Sequence, residues 1–588
     1  MNYPVWYLPE VGGGLLIAVI AVLHVFVSHF AVGGGLYLIY CEKKGLRENN
    51  QAILDFTKRH ARFFLLLTMV FGSITGVGIW FIIALVNPAA TSFLIHTFVY
   101  GWAAEWVFFV VEIVAAFVYF YMFGKMDNRT HLQVGWLYFI AAWISLLLIN
   151  GIIAFMLTPG GWLTNGSFWT GFFNPSFWPS LVFRTFIAIM LAGIYGYLSA
   201  SFTSDREVRI AMTRFSARWS LVALAGALPS AIWYVVVLPG PAKELVLGKS
   251  PTIVAALQWG AAATILVLMI SLVVGFLRPS ANRKATALVA MLGALVMMGA
   301  FEWVREAARR PYAVNELIFS NMIYKDDVAA LNETGFLANA VWVEETNRVL
   351  EPDNRLLAGE ELFIQQCYAC HTLGGFNNDL KAQTAHMSFN ALRSYIAKIH
   401  QIRFFMPPFV GTDSEAEALA AYIVADVHGK ELAEPATASV EEDAGKALFE
   451  EHCSACHDSA DLGPATEELE RAEIVTMLAS LDQISDEMVP FAGSAEEAAE
   501  LGSFIYFLSE RPDAPATAVA GEALFESECS ACHSAEDMSG RVGGMSLKQI
   551  SDLLPVLDQI SDEMMPFEGS AEEQAALSNY LHKLGREN

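Results

Sequence analysis

Six of the seven cysteines in this 588-residue chain fall in three Cys-x-x-Cys-His motifs: Cys367–Cys370–His371, Cys453–Cys456–His457 and Cys529–Cys532–His533. Two thiols at this spacing can each add to a vinyl group of one haem, and the next imidazole can bind its iron. A lone motif reads as well as a redox dithiol or part of a zinc site. Three of them, with only Cys41 left over, point to three covalent c haems.

A second repeated stretch supplies the opposite iron ligand. DQISDEMVPF begins at Asp482 and DQISDEMMPF at Asp558, and the same offset of 76 separates the CSACH copies at Cys453 and Cys529. Met488 lies 31 residues after His457, Met564 lies 31 after His533, and Met406 lies 35 after His371. All three open a Met-x-Pro-Phe turn, in which proline holds the loop against the haem edge. Met565 competes with Met564 but aligns with Val489, so Met564 is the expected ligand. His/Met ligation raises the reduction potential, which suits electron transfer rather than oxygen binding.

Small helical units must position these groups. A helix such as GKALFEEHC leads into each motif, and one such as AEEAAELGSFIYFL packs on it, with apolar residues at helical spacing. The units, at 350–430, 444–510 and 521–588, resemble small class I cytochromes c. ELAEPATASVEEDA and RPDAPATAVA read as linkers.

The net charge of −25 hides a division of the chain. From Glu351 onward there are 43 acidic and 13 basic residues, or −30; the first 350 residues carry 18 and 23, or +5. The acidic surface suits solubility and the docking of a basic partner equally, and no nucleic-acid partner is expected. Eight apolar stretches are each long enough to span a bilayer: 12–40, 61–86, 93–123, 131–157, 177–202, 215–238, 252–277 and 284–304. Lys and Arg crowd alternate loops: Lys43, Lys44, Arg47, Lys58 and Arg59, then Arg206, Arg209, Arg214 and Arg218, then Arg278, Arg283 and Lys284. The positive-inside rule makes those loops cytoplasmic. The N-terminus and the acidic half are then expected in the periplasm of a bacterium, the spans in its inner membrane. MNYPVWYLPEVGGG lacks the basic region and cleavage site of a removable signal peptide.

Ionisable groups inside spans are costly and usually functional. Here they are His24 and His29 in the first, His96, Glu105 and Glu112 in the third, Arg184 in the fifth, and Glu302 and Glu306 in the eighth; His131 starts the fourth. Any one of them can instead bridge helices or snorkel to an interface, a reading as good as the functional one for His131 and Arg184.

The apolar half resembles the large subunit (subunit I) of the cytochrome bd oxidases. The resemblance is carried by LHVFVSHFAVGGGLYLIYCE, by VEIVAAFVYFYMFGKMDNRTH and by REAARRPY. It implies two non-covalent membrane haems, of type b, d or both. His24 would bind the haem at the oxygen-reducing site and Glu306 the neighbouring haem b. Glu105 and Glu112 would carry protons or help to ligate, and Arg309 would neutralise propionates. It also implies a second membrane subunit or other respiratory subunits as partners, within membrane lipid. The departures concern electron entry. VFRT places Arg184 where the family has a low-spin haem histidine, and TIVAALQWGAAATILVLMI has no methionine at the other ligand position. The quinol-binding loop shrinks to PGPAKELVLGKSP.

The expected fold is all-α: an eight-helix transmembrane bundle (1–312), an amphipathic connector along the membrane surface (313–349), and three small helical cytochrome c domains. The expected function is a bd-like terminal oxidase subunit that reduces oxygen with electrons from a periplasmic cytochrome c or another donor. Two alternatives stand beside it: an electron conduit with no gas-reducing site, using six-coordinate haems at His24, His29 or His96, and a nitric oxide reductase.

Overall fold

The computed structural model describes residues 5–430 except 386 and 388, residue 432, and part of 444–586. Within that last range 455, 458–461, 463–465, 467, 468, 470, 486, 487, 511–523, 526–528, 530–534, 544, 546, 560–566 and 568–570 are excluded. In a bilayer each backbone N–H and C=O must be bonded within its own segment, so the apolar runs become helices. Eight are long and apolar enough to cross a membrane.

The first is α1 (Gly13–Arg47). Helices α2 (Gln51–Leu66) and α3 (Ser73–Val86) form one span through a π-helical turn, Leu67–Gly72. Next come α4 (Pro88–Thr97), α5 (Val99–Tyr121) and α6 (Asn128–Phe155), with the short α7 (Trp162–Asn165) and α8 (Phe168–Phe172). The bundle is completed by α9 (Phe177–Ser201), α10 (Arg206–Val236), α11 (Gly240–Glu244), α12 (Pro251–Leu272) and α13 (Lys284–Ala307). Helix α9 is the most enclosed span, and α1 packs against α2, α3, α6, α9 and α13.

One expectation needs correction. The stretch 93–123 is not one helix: Phe98 leaves helical geometry, and the chain divides into α4, capped by the Asn87 side chain, and α5. His96 therefore sits exposed on α4, outside the spanning helix. The connector 313–349 starts as an antiparallel hairpin, β1 (Tyr312–Val314) and β2 (Ile318–Phe319), and continues through short helices Val328–Thr334 and Phe336–Asn339. Val314 and Ile318 are buried among Phe98, Ile152, Phe155 and Phe177 at the ends of the membrane helices.

Residues Met1–Glu434 form one compact unit and Pro435–Asn588 another. The first therefore holds the membrane bundle together with the first cytochrome domain. In that domain helices Arg355–Leu362 and Asp413–Tyr422 cross so closely that a Cβ on Gly359 would lie 2.2 Å from Ala418 O. In the second unit, Ala444–His452 crosses Ala495–Glu510 in the same way, and a Cβ on Gly445 would lie 2.4 Å from Glu500 O. Both glycines stand eight residues before the first motif cysteine, as Gly521 does in the third copy, outside the described residues. Phe449, Ile474, Leu478, Leu501 and Ile505 make one core of this unit; Phe525, Val542, Ile550, Leu577 and Leu581 belong to another.

Candidate redox sites

The first Cys-x-x-Cys-His motif ends a helix whose last turn, Phe363–Cys367, is π-helical. His371 Nδ1 donates to Asn378 O at 3.1 Å, which leaves Nε2 free to bind an iron. Burial, helped by the nearby Arg310 guanidinium, holds the His371 ring down to about 4, so it is neutral, as a ligand must be. The Gln366 side chain donates to Val410 O at 2.6 Å and accepts from Val410 N at 2.9 Å, tying the motif to the loop that follows Met406. His400 Nδ1 donates to Met406 O at 2.6 Å and steadies that loop. Cys367 and Cys370 are both free thiols. This set fits one covalent haem between His371 and Met406.

The domain is clamped to the membrane bundle. Tyr368, inside the motif, receives a hydrogen bond from Leu8 N at 2.8 Å and gives one to Trp6 O at 3.0 Å. Leu373 N and Phe376 N donate to Pro9 O and Glu10 O, at 3.2 and 3.1 Å. Phe404 and Phe405, just before Met406, pack on Leu245, Ile253 and Ala307 at the end of α13. Ser320 Oγ lies 3.9 Å from Cys370 Sγ, and its N–H donates to Pro311 O at 2.9 Å. The motif thus faces the stretch that holds Glu306, Arg309 and Arg310.

Two groups inside the bundle present free ligand capacity. His24 faces the π-helical turn between α2 and α3, with Nδ1 3.1 Å from Thr75 Oγ1. The Thr75 hydroxyl donates to Phe71 O, so it accepts the proton of His24 Nδ1, and Nε2 keeps its lone pair. A Cβ on Gly76 would lie 3.1 Å from His24 Cε1, so the wall here is kept bare. Single π-helical turns often mark functional sites. Arg309 is buried with one Nη bonded to Ala313 O and the other to Glu306, while its Nε has no hydrogen-bond partner. The Glu306 side chain is 56 % exposed. An open carboxylate beside an unsatisfied guanidinium fits a haem with its propionates.

Position 184 does not fit a haem ligand. Arg184 Nη1 lies 3.2 Å from Glu302 Oε1 and 3.4 Å from His29 Nε2, and its guanidinium sits 5.3 Å from the Phe301 ring centre. Arg305 Nε donates to the other Glu302 oxygen at 2.9 Å. This buried chain of charges uses Arg184, Glu302 and His29 on one another. Arg184→Ala is therefore expected to leave the haem content unchanged and to destabilise the fold by removing one of the two guanidiniums that offset the buried Glu302 carboxylate. Haem extraction and thermal unfolding in detergent check both; loss of a haem would reassign the position.

Glu105 and Glu112 point from α5 to α6: Ser145 Oγ donates to Glu105 at 2.7 Å and Tyr138 Oη to Glu112 at 3.0 Å. His131 is paired too, with Glu42 at 2.8 Å. Glu42 is a residue that sequence reasoning passed over, because it reads as part of the charged end of the first span.

In the second cytochrome domain Cys453, Cys456, His457 and Met488 are described; Met488 N donates to Ser485 O at 3.0 Å and Phe491 N to Leu478 O at 2.8 Å, which holds the Met-x-Pro-Phe turn. In the third, Cys529 is described, whereas Cys532, His533 and Met564 lie outside the described residues. Among the described residues no group of three or more His, Cys, Asp or Glu is arranged to hold a bare metal ion.

Residues 15–260 match the family model of cytochrome bd terminal oxidase subunit I. Residues 354–423, 440–505 and 516–581 each match that of cytochrome C oxidase, cbb3-type, subunit III. Among solved structures the chain is similar to a bd oxidase from Geobacillus thermodenitrificans: 16% identity, TM-score 0.45, covering 52% of this chain and 89% of that one. No curated protein matches it.

Proposed function

We propose that this chain, a cytochrome bd subunit I domain joined to three cytochrome c domains, is the oxygen-reducing subunit of a membrane oxidase fed by a cytochrome c. The docked first cytochrome carries this reading: its motif abuts the end of α13, where Glu306 and Arg309 await a haem. Electrons would enter through the acidic second and third domains, pass to the clamped first domain, and leave it at that contact. The alternation of basic loops supports a periplasmic position for the cytochromes, on a bacterial inner membrane.

Bound haem iron supplies the one-electron chemistry. His24 Nε2 and the Glu306 carboxylate would hold it, and Arg309 would offset propionate charge. Phe404 and Phe405 exclude water from the contact with α13. Glu112, beside Tyr138, and Glu105, beside Ser145, would carry protons within the bundle. The stretch 239–251, folded into α11 and one further turn, is too small to make a quinol site. A partner membrane subunit would cover part of the outer helix faces, where Ile74, Val77, Trp106 and Trp259 are exposed, and lipid the rest.

The purified protein is expected to yield three covalent haems and two extractable ones, with a carbon monoxide shift confined to the extractable set. Oxygen uptake with reduced cytochrome c should exceed that with quinol. A low-spin spectrum without a carbon monoxide shift would leave the conduit, and nitric oxide consumption without oxygen uptake would leave the nitric oxide reductase.

A further inference from the structure

Helix α13 gives way to a turn that carries two arginines in succession, Arg309 and Arg310. Both N–H groups of the turn are bonded, Arg309 N to Glu306 O at 3.3 Å and Arg310 N to Ala307 O at 3.2 Å. The two side chains therefore spring from fixed points about 3.8 Å apart. They serve different places. Arg309 is buried and reaches back to Glu306 and Ala313 O, within the bundle. Arg310 is half-buried, and its charge bears on the His371 ring of the first cytochrome.

The residues that follow tie this turn to the haem motif. Ser320 N donates to Pro311 O at 2.9 Å, and Ser320 Oγ lies 3.9 Å from Cys370 Sγ. Phe404 and Phe405 close the contact from the methionine side, on Leu245, Ile253 and Ala307. Arg310 is thus held at the seam between the cytochrome and the bundle.

Its guanidinium is left over there. Among the described residues it has no hydrogen bond and no ion pair. Carboxylates that could take it are engaged elsewhere: Glu306 with Arg309, Glu302 with Arg184 and Arg305, and Asp379 with Gly374 N and Lys381 N. A guanidinium does not shed its proton, and a charge kept partly from water without a partner is costly. The seam calls for an anionic acceptor on the cytochrome side. A haem joined at Cys367 and Cys370 brings propionate carboxylates of its own.

We infer that Arg310 binds a propionate of the first c haem, as Arg309 would that of the membrane haem, so that consecutive residues of one turn hold both haem edges. The second half of this statement rests on the proposed membrane site; the first half does not. The charge also has a direction. Ferric haem is more positive than ferrous haem by one electron's charge, so a guanidinium at its edge favours the ferrous state and raises the potential. Aromatic rings close the seam, so salt screens the charge little. Arg310 thereby holds an electron on the haem next to the bundle, where it leaves the cytochromes.

Potentiometric titration of the purified holoprotein, read in the c-haem absorption, tests this without oxygen turnover. Arg310→Gln is expected to lower the midpoint of one c haem, by about tenfold in its one-electron equilibrium or about 59 mV, and to leave the others unmoved. Arg310→Lys keeps the charge without the planar fork and should restore most of the midpoint. An arginine that only packs at the seam or caps α13 would move no potential. Unchanged midpoints in Arg310→Gln, or equal shifts of every c haem, would overturn the inference. Should Arg310→Gln lose the haem or undock the domain, Arg310→Met, which keeps the apolar stem, decides by the same midpoint. A wild type without extractable haem would sink the oxidase reading, while the c-haem midpoint would still decide the contact of Arg310.

Discussion

His24→Ala removes one extractable haem and leaves the absorption of the three c haems intact. The side chain stands well inside α1, where an unpaired imidazole would be costly, and its Nδ1 is bonded to Thr75. The Thr75 hydroxyl spends its own proton on Phe71 O, which fixes the tautomer and aims a lone pair at the bare wall by Gly76. Nothing in this arrangement serves packing, so loss of the ring costs the iron its ligand and the fold little. Thr75→Val should act through the ring: the haem stays but binds about 10–100-fold more weakly, as expected when a partner that orients a ligand is lost. Haem extraction with spectra of the reduced protein reads both. Unchanged haem content in His24→Ala would withdraw the ligand assignment and favour the conduit.

Gly375→Val cuts the first cytochrome loose. A Cβ at Gly375 would lie 2.1 Å from Glu10 O, a backbone atom that cannot step aside without breaking the bonds from Leu373 and Phe376 to the N-terminal segment. The haem pocket is built within the domain, from Gln366, Asn378, His400 and Val410, so all three covalent haems should remain. What falls is electron delivery. Reduction of the membrane haems by the c haems should slow about 10²-fold, as when reacting groups lose a fixed geometry. Stopped-flow spectra separate the two haem classes, and delivery at the wild-type rate would show that the clamp has no part in it.

The chemistry of the cytochrome domains was legible because it depends on residues close in sequence: two thiols, a histidine, and a methionine at a repeated distance. The eight spans were legible because a bilayer imposes one length and one polarity on all of them. The break at Phe98 was not, since no proline or glycine stands there; the signal, Asn87–Pro88 as a new helix start, reads equally as a loop. The clamp was not, because Trp6–Glu10 carries no pattern of its own and its bonds are made by backbone atoms. Arg184 was recognised as a departure, but its partner Glu302 could be found only in three dimensions, 118 residues along the chain. The pairing of Glu42 with His131 was missed because a charged residue at the end of a span is ordinary until its neighbours are known.

The clamp also orders events in time. Leu8 and Tyr368 meet across 360 residues, and every spanning helix lies between them, so this is among the most non-local contacts the chain makes. Closing such a loop has to wait for the intervening elements to be in place. In the closed state burial, with Cys370 beside it, pushes the Cys367 thiol up to about 12, far from the reactive thiolate. The N-terminal residues, made first, are thus engaged last.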